Sequence, residues 1–459
     1  METGSMVEER RQLKGFRWLR LSLMLLGVTI IALVIGAHLR GIMGGGITLG
    51  KISVVLAGLG MVLLGWLIRP QDIKDRQVLA RRMANLYQGA AILVLNTLLL
   101  LAGLELGARA WPQLAGRLSS PTEINSVPLG AAIPYYQSQD WGRQYWADFS
   151  RYDGEFRPYM LWRGVPLASP TINIDEQGLR QTPGIDCSAG VYKVFVFGGS
   201  TMWGDGSPDW GTIPAYLQPG LQTIRGEPVC IINFAQPGFV STQSVVTLLT
   251  ELYEGNIPDL VIFYDGINDV FGAYRSGQVG AHLTPEEIAR QFNGNHLVKY
   301  VENSATFKLL QRLASNPQLI TYETRNIPAG ALAEAVVKAY FGNYRVVEAL
   351  AQYYQFDYLF FFQPALPLGK KPLTPLEQMI KDEIDPALVS LYRETYHKAR
   401  RDGAQYQHFY DISDVLDGQT TLLWFDAYHI IPEGNQRVAD RMLEIISEKL
   451  ERNEAAQTE

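Results

Sequence analysis

The stretch Val194-Phe-Val-Phe-Gly-Gly-Ser-Thr-Met-Trp-Gly204 decides how the chain around it is read. An apolar β run stops on two glycines, and a serine follows at once. Continuous apolar character suits a parallel strand covered on both faces. Small residues then let the chain turn sharply. The Ser200 hydroxyl would stand at the sheet's rim, near the N-terminus of the next helix, whose free N–H groups favour developing negative charge. On this segment alone, an ordinary strand-to-helix turn capped by serine is the plainer reading. Two phosphate-binding readings fail. The pair Gly198-Gly199 lacks the G-x-G-x-x-G spacing of a dinucleotide site. Gly199 and Gly204 have the P-loop gap, but Asp205 stands where that loop needs lysine, and an acid repels phosphate.

Further short apolar runs follow. Val229 to Phe234, Asp259 to Tyr264, Tyr358 to Phe362 and His408 to Ile412 read as strands beside Tyr192 to Phe197. Ser241 to Tyr253, Ala331 to Tyr354 and Pro375 to Arg401 have helical spacing. A last amphipathic helix carries Val438, Met442, Ile445, Ile446 and Leu450 on one face, with Pro432 suited to its first turn. This alternation implies an α/β class, a doubly wound sheet. Ligands of such sheets bind beyond the carboxyl ends of the strands, where Ser200 is expected.

A serine nucleophile needs a base, and the base needs an orienting group. Trp424-Phe-Asp-Ala-Tyr-His-Ile-Ile-Pro-Glu-Gly-Asn435 offers both. Asp426 and His429 stand three apart just before the last helix, so both side chains can point the same way. Of the six histidines, His429 alone combines an acid neighbour with a strand-to-helix edge. Acyl transfer also needs oxyanion donors. Gly238, in Asn233-Phe-Ala-Gln-Pro-Gly-Phe239, can offer an unobstructed N–H. Asn268, in Tyr264-Asp-Gly-Ile-Asn-Asp269, can offer its amide. Asp265 and Asp269 would suit a metal, but no histidine or acid cluster supports one. No cofactor or metal is expected.

Together these pieces resemble the SGNH (GDSL-like) hydrolase superfamily, whose four blocks carry Ser, Gly, Asn and His in that chain order. The blocks here are Phe-Gly-Gly-Ser200, Gln-Pro-Gly238, Gly266-Ile-Asn268-Asp269 and Asp426-Ala-Tyr-His429, with Gly434 and Asn435 continuing the last. Gly199 replaces the family's usual Asp. The resemblance covers about residues 190 to 450 and implies a flavodoxin-like α/β/α sandwich. It implies that Ser200 attacks an ester carbonyl while His429, oriented by Asp426, takes its proton. The backbone N–H groups of Ser200 and Gly238 and the Asn268 side chain would hold the oxyanion. An ordinary histidine pKa near ~6.5 places the loss of activity below about pH 6. The stretch from Val270 to about Tyr354 exceeds the family core and is expected to be a helical insertion, either a cap over the pocket or a docking surface.

The N-terminal part reads differently. Leu21 to Ala37, Ile52 to Ile68 and Ala90 to Gly107 are apolar runs. Each is close to the roughly 20 residues that cross a bilayer. They give a membrane domain over residues 1–110 with three transmembrane helices. A buried helical hairpin is the alternative. Arg10, Arg11, Lys14, Arg17 and Arg20 precede the first run, and Lys74, Arg76, Arg81 and Arg82 lie between the second and third. Positive loops stay in the cytoplasm, so everything after residue 110 is expected on the other side, in a multi-pass cell-membrane protein. Residues 111–190 form an aromatic-rich connector, and residues 191–452 the hydrolase-like domain. The connector's aromatics are expected to pack or to sit at the interface rather than to stack on sugars, because nothing in their spacing selects a ligand.

The chain has 47% hydrophobic and 19% charged residues and a net charge of -6, with no basic stripe, which excludes a general nucleic-acid binder. Cys187 and Cys230 are the two cysteines. They are either a disulfide, if their domain lies outside the cytosol, or two buried thiols. The expected activity is a membrane-anchored serine esterase. It would remove O-acyl groups, acetyl foremost, from a cell-envelope glycan or lipid. An O-acyltransferase with the same triad and a non-catalytic glycan-binding partner of a membrane acyltransferase are the alternatives.

Overall fold

The computed structural model describes residues 129–187, 190–283, 285, 304–307 and 321–458, together with 21–32 and, apart from single positions, 54–63 and 84–109. The chain divides into two compact units, Met1–Leu118 with Asn293–Ser315, and Ser119–Phe292 with Asn316–Glu459.

The larger unit is an α/β fold. Its five parallel strands are β3 (Tyr192–Gly198), β4 (Val229–Asn233), β5 (Leu260–Asp265), β6 (Asp357–Phe362) and β7 (Phe409–Asp411). Their spatial order is β4-β3-β5-β6-β7. Counted from β3 this is the flavodoxin-like order, and the direction of winding reverses between β3 and β5. An antiparallel hairpin, β1 (Gly154–Arg157) and β2 (Leu161–Gly164), precedes the sheet. Its helices include α1 (Gly142–Phe149), α2 (Ser200–Trp203), α3 (Ile213–Arg225), α4 (Ser241–Tyr253), α5 (Ile267–Ser276), α6 (Ala329–Tyr354), α7 (Pro375–Asp382), α8 (Pro386–Gly403) and α9 (Pro432–Thr458).

The strand β3 shows why a continuous apolar run is needed. Val194 and Val196 face one layer, with Leu217 and Leu221 of α3 and Val438 and Met442 of α9. Phe195 and Phe197 face the other, with α4, α5, α6 and α8. On that second face Phe197 stacks on Phe263 at 5.1 Å, and Phe263 on Phe360 at 4.4 Å. Both ends of the expected insertion, α5 and α6, belong to this layer. Most of the stretch between them lies outside the described residues.

Two helices differ from the sequence reading. Pro375 to Arg401 is two helices, because Pro386 has no N–H to continue a helix. Asp385 caps the second one, accepting from the Ala387 N–H at 2.8 Å. The helix α3 was not read from the sequence, since Pro219 lies inside it. The connector's Tyr136, Tyr145 and Trp146 are buried in the first core layer, while Phe156 and Tyr159 at the hairpin are exposed. Cys187 and Cys230 form a disulfide that ties the connector's end to β4.

In the smaller unit the described residues contain one helix long and apolar enough to cross a membrane, Tyr87–Arg109, and not three. The first apolar run is described as the helix Leu21–Ala32. At a rise of ~1.5 Å per residue its length falls short of a bilayer core of about 30 Å. The second run is described as helical at 54–55 and 57–63. The rest of both runs lies outside the described residues. Where they are described, the first and second runs meet at glycines: a Cβ on Gly27 would lie 2.5 Å from the Gly58 carbonyl oxygen. Glu105 accepts from the backbone N–H groups of Ala305 and Thr306 at 2.9 and 3.0 Å and pairs with Arg109 at 3.0 Å.

Candidate active site

The site forms at the carboxyl ends of β3 and β5, where the winding reverses. β3 ends at Gly198, and Ser200 opens α2. Gly199 between them is the point of closest approach. A Cβ there would lie 2.3 Å from the Asn268 Nδ2 and 3.3 Å from the Phe239 carbonyl oxygen. The Ser, Gly and Asn blocks therefore meet at one backbone position.

His429 arrives from the far end of the chain. Its Nε2 is 2.6 Å from the Ser200 Oγ. Its Nδ1 is 2.6 Å from the Asp426 Oδ2. The other Asp426 oxygen accepts from the backbone N–H groups of Tyr428 and His429, both at 2.7 Å. One carboxylate thus builds the turn and orients the ring. Burial opposes the charge of Asp426, but the His429 ring and these N–H donors outweigh it and hold the carboxyl below its usual range.

The chain entering this turn is fixed by a buried acid. Glu377 accepts from the Leu423 and Trp424 N–H groups at 3.0 and 3.1 Å through one oxygen. Through the other it takes the Lys371 ammonium at 2.8 Å. The chain leaving the turn is fixed by Asn435, whose amide donates to the Ser207 Oγ and the Gly211 carbonyl, both at 2.9 Å. The Gly434-Asn435 continuation therefore bolts the histidine turn to the loop that follows the serine helix.

Gly238 and Asn268, two of the expected oxyanion donors, follow the ends of β4 and β5. Gly238 has a φ of 82°, a conformation that favours glycine. Its loop is held by Trp162, whose indole N–H donates to the Pro237 carbonyl at 3.0 Å, and by the ring of Phe239 against Trp162 at 5.4 Å. The Asn268 amide donates to the Phe239 carbonyl at 2.8 Å. Beneath it, Asp269 accepts from the Ser241 hydroxyl at 2.6 Å.

Sequence reasoning did not single out three further parts. Trp162 lies in the aromatic connector with no spacing signal. Arg180 is buried and donates to Asp209 at 2.9 Å and to the carbonyls of Trp203, Gly204 and Ser207. It stacks 4.4 Å over the Trp203 ring. Asp205, read only as an obstacle to phosphate, places its Oδ2 3.6 Å from the His429 Nε2. Burial pushes its carboxyl up to about 6, against the pull of His429 and Arg180. Burial of the His429 ring works against its charged form. The charge and hydrogen bond of Asp426 and the charge of Asp205 outweigh that and raise His429 to about 9.

In fold class the larger unit is α/β with a parallel sheet. No family model and no curated protein matches the sequence. Solved structures similar to it include a carbohydrate acetylesterase family member from Sinorhizobium meliloti. That match has 15% identity over 56% of this chain and 97% of the other, with a TM-score of 0.31. A lipase from a goat rumen metagenome is 12% identical over 55% of this chain and 96% of its own, at 0.33. The acetyl xylan esterase AlAXEase is 15% identical over 55% of this chain and 99% of its own, at 0.31.

Proposed function

We propose that the chain is a membrane-anchored serine esterase that removes O-acyl groups from a cell-envelope glycan or lipid. The reading is carried by one observation, the line from the Asp426 Oδ2 through His429 to the Ser200 Oγ with 2.6 Å on either side of the ring. A hydroxyl, an imidazole and a carboxylate in that order are the parts of acyl transfer through an acyl-enzyme.

In this reading the Ser200 Oγ bonds to the acyl carbon as its proton passes to the His429 Nε2. The carbonyl electrons move onto oxygen, which the N–H groups of Ser200 and Gly238 and the second N–H of the Asn268 amide receive. Collapse breaks the ester C–O bond, and the departing alkoxide takes the proton from Nε2. Water then repeats the sequence on the acyl-serine, releasing the acid and restoring the hydroxyl. Acetyl is the expected acyl group by the resemblance to SGNH hydrolases.

The location is part of the proposal: a multi-pass membrane domain with the α/β unit outside the cytoplasm. The long apolar helix, the positive loops and the Cys187–Cys230 disulfide support it, since disulfides persist in oxidising compartments.

The test uses the full chain in detergent. A fluorophosphonate probe should label wild type and not Ser200→Ala, and that substitution should lower acetate release from p-nitrophenyl acetate by at least ~10³-fold. Absence of labelling would sink the esterase reading. Acetyl collected by an added sugar in preference to water would move the assignment to a transferase. For topology, Cys introduced at the exposed Tyr253 should react with an impermeant thiol reagent on spheroplasts; protection would reverse the orientation.

A further inference from the structure

The catalytic histidine lies between two acids, one at each ring nitrogen. Asp426 is 2.6 Å from Nδ1, and Asp205 is 3.6 Å from Nε2, on the side that faces the serine. The acyl-transfer reading uses only the first. Asp205 is held in place by its backbone, whose N–H donates to the Ser200 carbonyl at 3.0 Å, and by a loop locked on both sides. Arg180 grips the carbonyls of Gly204 and Ser207. Tyr145 takes the Gly206 N–H at 2.7 Å, and the Tyr136 hydroxyl donates to the Gly206 carbonyl at 2.8 Å. The connector's rings also shut water out, so the Asp205 Oδ1 is buried with no hydrogen-bond partner. A desolvated carboxylate of this kind is stabilised chiefly by a positive charge nearby. The charged groups that face the His429–Asp205 pair are Asp426 from the turn before α9 and Arg180 from the segment before β3. The neutral hydroxyls of Tyr136, Tyr145 and Tyr152 close the connector side. Arg180 is already neutralised by Asp209. The cation left to balance Asp205 is the His429 imidazolium.

We propose that Asp205 is a positioning residue that holds the His429 imidazolium from the Nε2 side, and so sets the pH at which Ser200 becomes a nucleophile. The proposal rests on the reading of Ser200 and His429 as nucleophile and base. It has two opposed consequences. The carboxylate favours the protonated ring, which withholds the base from Ser200 at low pH. The same carboxylate favours the imidazolium that forms once the Oγ–H proton is transferred, which speeds acylation when the base is free. The raised pKa of His429, to which the charge of Asp205 contributes, agrees with both.

The experiment measures kcat/KM of the full chain for p-nitrophenyl acetate between pH 5 and 9.5, with the Ser200→Ala rate subtracted as background. In Asp205→Asn the acidic limb should move down by about one pH unit, while the alkaline plateau falls by about 3- to 30-fold, so that the gap between the profiles narrows as pH falls and reverses where the plateau loss is under about 10-fold. Asp205→Ser, smaller and also uncharged, should move the limb the same way. An equal loss at every pH, with the limb unmoved, would mean that Asp205 only supports the loop and would overturn the proposal. A second readout needs no turnover. The rate of diethylpyrocarbonate modification at His429, followed by mass spectrometry against pH, should show the same downward shift when Asp205→Asn is added to Ser200→Ala. If Ser200→Ala proves as active as wild type, the nucleophile assignment fails, and the modification profile still decides whether Asp205 governs the ring.

Discussion

Gly199 and Asn268 are in direct contact: a Cβ at position 199 would lie 2.3 Å from the Asn268 amide nitrogen. The backbone at Gly199 is extended, with φ of -88°, so any residue could adopt it. Space alone demands glycine here. Gly199 is where the resembling family usually carries Asp, and the amide occupies the volume that side chain would need. Gly199→Asp should therefore displace Asn268 from the site. We expect kcat to fall by about 10²-fold or more, the scale of losing one oxyanion donor, with little change in KM. A Gly199→Asp variant with wild-type kcat would show that Asn268 is not positioned by this contact.

Activity should rise with pH well past neutrality. In the proposed mechanism the base is the neutral ring, and His429 is raised to about 9. Protonated histidine therefore predominates at pH 7, and kcat/KM climbs as the proton leaves. The ordinary histidine value used at the level of sequence placed the limb near pH 6; two flanking acids, Asp426 and Asp205, move it upward. A limb at or below pH 6.5 in wild type would contradict this.

Glu377 should be a stability residue that also controls the histidine turn. Its side chain and that of Lys371 are 0% and 2% exposed. Glu377→Ala leaves the buried ammonium without its counter-charge and the Leu423 and Trp424 N–H groups without their acceptor. Breaking a buried pair in this way costs about 3–5 kcal/mol, which corresponds to a melting point roughly 10 °C lower. The carboxyl is held below its usual value. Its contribution is therefore present above the unfolded carboxylate pKa and is lost as pH falls through the lower folded one. The wild-type advantage in melting point should shrink in acid. An unchanged melting point would mean that the turn does not depend on this acid.

Asp265, at the end of β5, should act in the opposite sense. Burial, and then the charge of Asp269, push its carboxyl well above the usual range. The folded state thus binds a proton that the unfolded chain releases above pH ~4. Stability from this group falls as pH rises from there, because ionising it inside the core costs free energy. Asp265→Asn keeps the shape without the charge. Its melting point should exceed wild type increasingly from pH 5 to pH 8 and match it near pH 4. A uniform loss across that range would show that the carboxyl makes a contact the amide cannot.

The sequence by itself determined the five strands of the main sheet, their parallel character and the four blocks at their ends. Those features are local: a run such as Val194 to Phe197 announces that both its faces are covered, and a glycine or proline beside it marks where the chain turns. It also determined which residue types were available for the chemistry. Only the tertiary structure decided which of them meet. Ser200 and His429 are 229 residues apart, and nothing in either segment encodes the other's distance. The same holds for Asp205, an unremarkable acid in its own loop. The connector's tyrosines remove its water and α9's turn brings the imidazole beside it, and burial and neighbours in space set a proton affinity. The disulfide, the Arg180 lock and the Glu377 anchor belong to this second kind, since each joins segments that the winding of the sheet, and not the local pattern, places together.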